Sequence, residues 1–541
     1  MASNLLKGTM ILTVGLLLSR ILGVLYVIPF YQIIGEEYIA LYQYAYTPYS
    51  IMLAIAVSGV PVAVSKFVSK YNALGDYATG RKLMKSSMLL MSITGFLGFL
   101  ILFFLADPIA HMIIKDDEAA FSLNDVASVI KYVSFAVIVV PLMSLIRGFF
   151  QGYQHMTPTA VSQLWEQIVR ILFVLAGGFF VVYILNGTEK TAISFAVFAA
   201  FLGALASLGV LYWYWKKLKP EFDLKLNDSG SPRSDVSLKN IYKEILIYTV
   251  PFALVGVINP LFQFIDMITF NRAMSSIGIS GDISNTLLGM LNYSTHKLVM
   301  IPVMLATGFS MALIPFITSY YAKQDFVQVR KSLDQSFQIL LFLTVPAAMG
   351  IAVLSGDFYH LFYETSKTGS TVLAHYAPVA ILFALYPVTT AILQGIDRQK
   401  LIILNLLLGI LTKLLLNTPL IKAFETDGAI LATACGYLVA IGLNMFAIRK
   451  TLHYKSTMVI RRSILILIVN AFMLTIVFVI KLGLENLFVI DSKMEALLVI
   501  MVCASIGAVF YGYITLRLGL AQKLFGEKIT RFTKKLGFKE K

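Results

Sequence analysis

Charge is scarce in this sequence. Only 13% of the 541 residues are Asp, Glu, Lys or Arg, against about 25% in an ordinary soluble domain. That shortage argues against a soluble enzyme, a disordered chain and a nucleic-acid-binding domain. Cysteine is scarcer still. Cys435 and Cys503 both lie in apolar runs and form no CxxC pattern, which argues against a disulfide framework or a cysteine zinc site. The six histidines have no ligand spacing, so no metal site is expected. Walker A, HExxH and GxSxG motifs are all missing. The chain therefore reads as a non-enzyme without a resident cofactor, and not as an ATPase. Energy would come from an ion or substrate gradient or from the membrane potential, the last worth about 2.3 kcal/mol per charge per 100 mV. Strand-type alternation persists nowhere, so a β-barrel is not expected.

Apolar residues are abundant instead, at 58%, with a mean hydropathy of +0.80. They fall into runs long enough to cross a bilayer, about 20 residues each. Backbone polar groups must pair internally in lipid, which makes such runs helices. The pattern predicts fourteen spans, at about 8–34, 38–65, 83–106, 126–153, 161–184, 191–215, 241–270, 287–320, 333–354, 374–395, 401–421, 428–448, 463–483 and 494–516. The first run, from Leu5 to Ile34, lacks a small-residue cleavage motif and reads as a retained helix.

The net charge of +15 is concentrated between the runs. Stretches 66–85, 216–243 and 449–462 carry clusters such as Lys66, Lys70, Arg81, Lys82 and Lys85. The alternate loops carry Glu36–Glu37, Asp116–Asp117–Glu118, and Glu425 with Asp427. The positive-inside rule then places both termini in the cytoplasm. The polar stretch 216–240, with Pro220, Asn227, Gly230 and Pro232, reads as a cytoplasmic linker. On either side of it a weak repeat is visible. Gln151–Gly152 ends span four and Gln394–Gly395 ends span ten, and nineteen residues after each Gln stands a cation, Arg170 and Lys413. The expected organisation is an N-terminal lobe 1–215, the linker 216–240, a C-terminal lobe 241–450, two added helices within 451–520, and a basic amphipathic tail 521–541 lying on the anionic inner leaflet. The two six-helix lobes would be related by a pseudo-two-fold axis.

A charge at the bilayer centre costs at least about 2.5–3.5 kcal/mol, so those inside the runs are informative. Arg20 lies mid-span in the first run and Lys297 in the eighth; both read as lining a polar cavity. Arg147 lies late in span four, either snorkelling or serving substrate. Glu166 and Arg170 stand four residues apart in span five, as an intrahelical ion pair or as part of a site. Asp266 and Lys413 read as a structural or coupling pair. His296 reads as a neutral, hydrogen-bonded neighbour. Cations exceed carboxylates, which favours an anionic substrate and suits a phosphate group. Prolines 29, 48, 61, 251, 260, 302, 315 and 346 lie in or at the ends of spans, where kinks free backbone carbonyls.

Six, six and two spans, with LSRILG at 18–23, LNYSTHKLVMIP at 291–302 and ALIPFITSYYA at 312–322, make the chain similar to the MurJ-like lipid II flippases. These belong to the multidrug/oligosaccharidyl-lipid/polysaccharide (MOP) exporter superfamily, and the basic loops and long linker look closest to its SpoVB/YtgP branch. The resemblance implies a cationic central cavity for a lipid-linked pyrophosphate, with Arg20 and Lys297 as its ligands and Arg147 and Arg170 as helpers. Lys297 stands where the family has arginine, keeping the charge without the planar fork. The family's arginine on helix two has no match, since no basic residue precedes Lys66 there. The last two helices imply a groove for an isoprenoid tail. Asp266 resembles a carboxylate that in some relatives binds sodium, and Lys413 stands where a polar ligand of that ion is expected.

The implied function is movement of the peptidoglycan precursor lipid II across the bacterial plasma membrane by alternating access. Implied partners are a lipid-linked anionic substrate of the undecaprenyl-pyrophosphate type, membrane lipids and cell-wall synthesis enzymes, with no nucleic acid. Three alternatives stay open: a flippase for another polyprenyl-pyrophosphate glycan (capsule, teichuronic or spore-wall unit), a cation-coupled multidrug exporter, and a membrane scaffold.

Overall fold

The computed structural model describes residues 15, 18–57, 59–114, 121–228, 238–304, 317–318, 320–321, 323–487 and 491–525. These residues are helical apart from short turns, and no strand occurs among them. Ten of the described helices are long and apolar enough to cross a membrane. The chain divides into two compact units, Met1–Gly289 and Met290–Lys541.

In the first unit the helices are α1 (Leu18–Ile34), α2 (Ile39–Val57), α3 (Val60–Ala73), α4 (Tyr77–Phe104), α5 (Ala106–Ile113), α6 (Leu123–Gly152), α7 (Thr157–Ile184), α8 (Glu189–Asp228), α9 (Leu238–Ser275) and α10 (Gly281–Gly289). Helix α6 is the hub, packing against α2, α3, α4 and α8. Its neighbour α4 is apolar on both sides, yet the two sides do different things. Gly95 and Gly98 sit against Ile138 and Val137 of α6, and small residues are what let helix backbones approach this closely in lipid. Leu89, Ile93, Phe96, Leu97, Ile101 and Phe104 point outward. An apolar face at helical spacing that meets no protein is the mark of a lipid-facing helix.

The second unit opens with a π-helical turn, Met290–Thr295, which leads into helix α11 at 296–304. There follow α12 (Phe326–Val353), α13 (Ser355–Phe362), α14 (Lys367–Gly395), α15 (Gln399–Leu452), α16 (Thr457–Leu487), α17 (Lys493–Arg517) and α18 (Leu520–Phe525). Helix α15 is nominally one element of 54 residues, but its backbone leaves helical geometry at Glu425, with φ 51° and ψ −127°. The two arms then run back along each other. Gly428 abuts the backbone of Leu420, Gly409 abuts Gly436 and Ala440, and Asn405 donates to Asn444 at 2.8 Å. These arms, 399–424 and 426–452, coincide with the eleventh and twelfth expected spans.

Local geometry repeats between the units. Helices α4 and α12 each have 28 residues, each is capped by an aspartate (Asp76, Asp325), and each is followed by an 8-residue helix. Left-handed residues precede both caps, Gly75 and Gln324, and follow α6 and α14, Gln154 and Asp397. Equivalent backbone bonds close the latter turns, His155 to Phe150 at 2.9 Å and Arg398 to Leu393 at 2.8 Å.

The polar stretch after span six differs from the expected linker in its first half. Helix α8 continues through Pro220 to Asp228. Phe222 explains this: it is fully buried against Phe149, Phe150, Tyr153 and Trp215, so an apolar anchor draws the polar segment onto α6. The i,i+4 pair Glu221–Lys225 adds to it at 2.6 Å. The hydrogen bond from Lys225 holds the Glu221 carboxyl below its ordinary value, with His155 contributing. Span two is broken at Gly59, which is left-handed at φ 85°, and helix α3 continues past its expected end to Ala73, with Lys66 and Lys70 folded toward Phe67 and Tyr71. The basic tail lies mostly outside the described residues. Leu524, expected on its membrane-facing side, is buried against Val345 and Ile466 of the protein.

Candidate functional site

Helix α1 runs parallel to α7. Gly15 lies on Ala160, Gly23 near Gln167 and Ile33 on Gly178. Arg20 therefore sits level with the segment of α7 between Ala160 and Gln167. Its side chain is exposed.

The other candidate cations of the first unit, Arg147 and Arg170, are engaged. Arg147 is buried on α6 and donates to Glu166 Oε2 at 2.7 Å, to Ser162 Oγ at 3.0 Å and to Ser207 Oγ at 2.7 Å. A single guanidinium thus ties α6 to α7 and α8. This corrects two expectations. Arg147 does not snorkel, because its side chain is buried and donates to acceptors on two neighbouring helices. Glu166 pairs with Arg147 and not with Arg170 on its own helix. Arg170 instead donates to the hydroxyl of Tyr46 on α2 and lies over its ring, 5.3 Å from the centroid. Tyr46 stacks on Tyr42 at 5.2 Å and meets Tyr49 at 5.4 Å. Arg170 and Tyr46 are both half-buried, which leaves this aromatic–guanidinium pair within reach of a polar ligand.

Asp266 is buried on α9. One helical turn and more beyond it, Asn271 donates to Asn285 at 2.8 Å and to Tyr44 at 3.0 Å, and accepts from Ser284 at 2.7 Å. On the α2 side of the same helix, Gln43 donates to Gln263 at 3.4 Å. A polar seam inside membrane-spanning helices is held because each group is satisfied.

In the second unit the π-helical turn Met290–Thr295 ends two residues before Lys297. Such turns shift the register of the residues after them and recur at functional sites. The Tyr363 hydroxyl donates to the carbonyl of Ser294 within the turn at 2.8 Å. Lys297 is half-buried and its ammonium lies 3.9 Å from the centroid of the Tyr293 ring, a cation–π contact that spares it full desolvation. His296 is buried, with Nδ1 2.9 Å from the Tyr376 hydroxyl. Lys413 is fully buried between the arms of α15; it donates to Thr433 Oγ1 at 2.7 Å and to the carbonyl of Ala429 at 3.2 Å. No group of three or more His, Cys, Asp or Glu able to hold a metal ion occurs among the described residues.

The structure thus joins Arg147 to Glu166 and gives Arg170 and Lys297 aromatic partners. Arg20, Arg147, Glu166, Arg170 and Asp266 belong to the first unit, and Lys297 and Lys413 to the second. Sequence reasoning missed Tyr46, Ser162, Ser207 and Thr433. The tyrosines left a signal: Tyr42, Tyr46 and Tyr49 stand at helical spacing in one short run. The serines and the threonine left none, since such residues are common in membrane helices.

A family model described as polysaccharide biosynthesis protein matches residues 5–321, and the MatE model matches residues 251–418. The chain is 42% identical to lipid II flippase MurJ of Bacillus subtilis (strain 168), covering 99% of each chain. It is 24% identical to stage V sporulation protein B of the same organism, covering 83% of this chain and 84% of that one. A solved structure of lipid II flippase MurJ in an inward closed conformation superposes with a TM-score of 0.65 at 15% identity, covering 94% of this chain and 99% of that one. Identity at this level over the whole length of both chains, together with the shared membrane fold, establishes that this protein belongs to the MurJ family of the MOP superfamily.

Proposed function

We propose that the protein is a multi-pass flippase of the bacterial plasma membrane that carries lipid II from the inner to the outer leaflet by alternating access. The observation that carries this reading is the 42% identity to a lipid II flippase over 99% of both chains. In this reading fourteen spans form two six-helix lobes, 1–215 and 241–450, and two further helices, with both termini cytoplasmic. The recurrence of caps and left-handed turns between α4–α6 and α12–α14 supports the internal repeat.

Arg20 and Lys297 would bind the diphosphate. The exposure of Arg20 supports its part: a guanidinium facing acyl chains would cost at least about 2.5–3.5 kcal/mol, so exposure at this depth fits a watery chamber. Arg170, held on Tyr46, would reach the same ligand from α7 as a helper. Arg147 is better fitted to bracing the helices, since it is buried and donates to Glu166, Ser162 and Ser207 on two neighbouring helices. Asp266 and Lys413 are kept as a coupling or structural pair, with membrane potential or a monovalent cation as the energy source. Cell-wall synthesis enzymes would take over the product. A second reading, a flippase for another polyprenyl-pyrophosphate glycan, draws on the polysaccharide description of the family and on the sporulation relative.

The test is depletion of the protein, with no redundant flippase present, and measurement of lipid II accessibility at the outer leaflet. Accessibility should fall, and wild type but not Arg20→Glu should restore it at equal expression. Lys413→Ala should lower transport or stability. Unchanged accessibility removes lipid II as the substrate, rescue by Arg20→Glu removes the headgroup role, and a Lys413→Ala protein with normal transport and stability removes the pair.

A further inference from the structure

On its outer side the first unit carries a groove of about 570 Å3 between α4, α6 and α8. Met88, Leu142, Ile146, Leu205 and Leu208 make its apolar floor. Gly209 keeps it open: no atom stands within 4 Å of where a side chain would begin there. One end is lined by Arg81, Lys85, Tyr212 and Trp215. Tyrosine and tryptophan favour the headgroup level of a bilayer, which sets the depth of this end.

The charge at that end is not balanced. Of the nearby carboxylates, Asp223 is taken by Arg81 and Glu221 by Lys225 and His155. Arg81 also stacks on Trp215, 6.0 Å from the ring centroid. Lys216 lies over Tyr212 at 4.9 Å, which leaves its charge unneutralised. Lys85, one helical turn from Arg81 and exposed, makes no ion pair among the described residues. An apolar slot between membrane helices is filled by an acyl chain whatever the headgroup. The cations at its end add a preference for a negative one, about 1 kcal/mol for each lysine or arginine near the surface.

We propose that this groove is a binding site for an anionic phospholipid. One acyl chain lies on Met88, Leu142 and Leu205, and the phosphate meets Lys85 beside Trp215, next to the Arg81–Asp223 pair. The lipid would bridge α4 and α8. None of the candidate transport residues lines the groove, so the site stands apart from the reading of transport above.

Trp215 supplies the measurement. The chain has three tryptophans, and Trp165→Phe with Trp213→Phe leaves Trp215 alone. This full-length protein is reconstituted in phosphatidylcholine with rising fractions of brominated phosphatidylglycerol, and in a parallel series with brominated phosphatidylcholine. Quenching of Trp215 should reach half its maximum at a several-fold lower fraction of phosphatidylglycerol. Lys85→Gln should reduce that preference about fivefold, the worth of one surface cation. Gly209→Leu, which fills the groove, should weaken quenching by both lipids. Equal quenching by the two lipids, as expected of annular lipid only, overturns the proposal. So does a preference that Lys85→Gln leaves intact, or quenching indifferent to Gly209→Leu.

Discussion

Arg147 and Glu166 form a largely buried ion pair between two helices. The Arg147 side chain is about 10% exposed and that of Glu166 about 21%. Removing one partner of such a pair strands the other, which typically costs about 3–5 kcal/mol, whereas replacing both with apolar residues is often close to neutral. Glu166→Gln keeps the shape but loses the charge, and should destabilise the protein by about 3 kcal/mol. The double variant Glu166→Leu with Arg147→Met should recover most of that. Thermal unfolding in detergent reads both. If Glu166→Gln unfolds like wild type, the pair does not brace the unit. The spacing of Glu166 and Arg170 suggested a pair within one helix. The partner actually chosen sits on α6, where the Arg147 guanidinium also donates to Ser162 and Ser207. Arg170 is thereby released to Tyr46, and no count of residues along the chain gives that exchange.

At the scale of the element, the apolar runs match the long described helices but not their ends. Helix α8 overruns its span because Phe222 finds an aromatic pocket, and α3 overruns because Phe67, Val68 and Tyr71 are buried in a core shared with α6. The two arms of α15 meet at Gly428. A methyl group added there would overlap the Leu420 carbonyl carbon and oxygen and the Ile421 nitrogen. These are backbone atoms that cannot rotate away. Gly428→Ala should therefore cost about 1–3 kcal/mol, the usual range for overpacking. The fall in unfolding temperature should exceed that for Gly442→Ala on the same element, where nothing stands within 4 Å. Equal effects of the two substitutions would remove the tight reversal.

For the molecule as a whole, orientation is a matter of loop charge. In a background with Cys435 and Cys503 replaced by serine, Glu36→Cys should react with an impermeant thiol reagent on intact cells. Lys450→Cys should react only after the membrane is opened. The opposite pattern would invert the topology and the direction of transport with it.

The membrane class, the helical architecture and the apolar runs that become its long helices follow from the sequence. Each depends on a property that is additive along the chain: hydropathy summed over a window, or charge counted per loop. Which cation meets which acceptor is a different kind of question. Arg147 with Glu166, Arg170 with Tyr46, Lys413 with Thr433 and the groove beneath Lys85 depend on the rotation of each helix about its axis and on small residues that set the approach. Interactions of these kinds reach only about 3–6 Å, so only the packed structure, where residues distant along the chain come within that range, decides them.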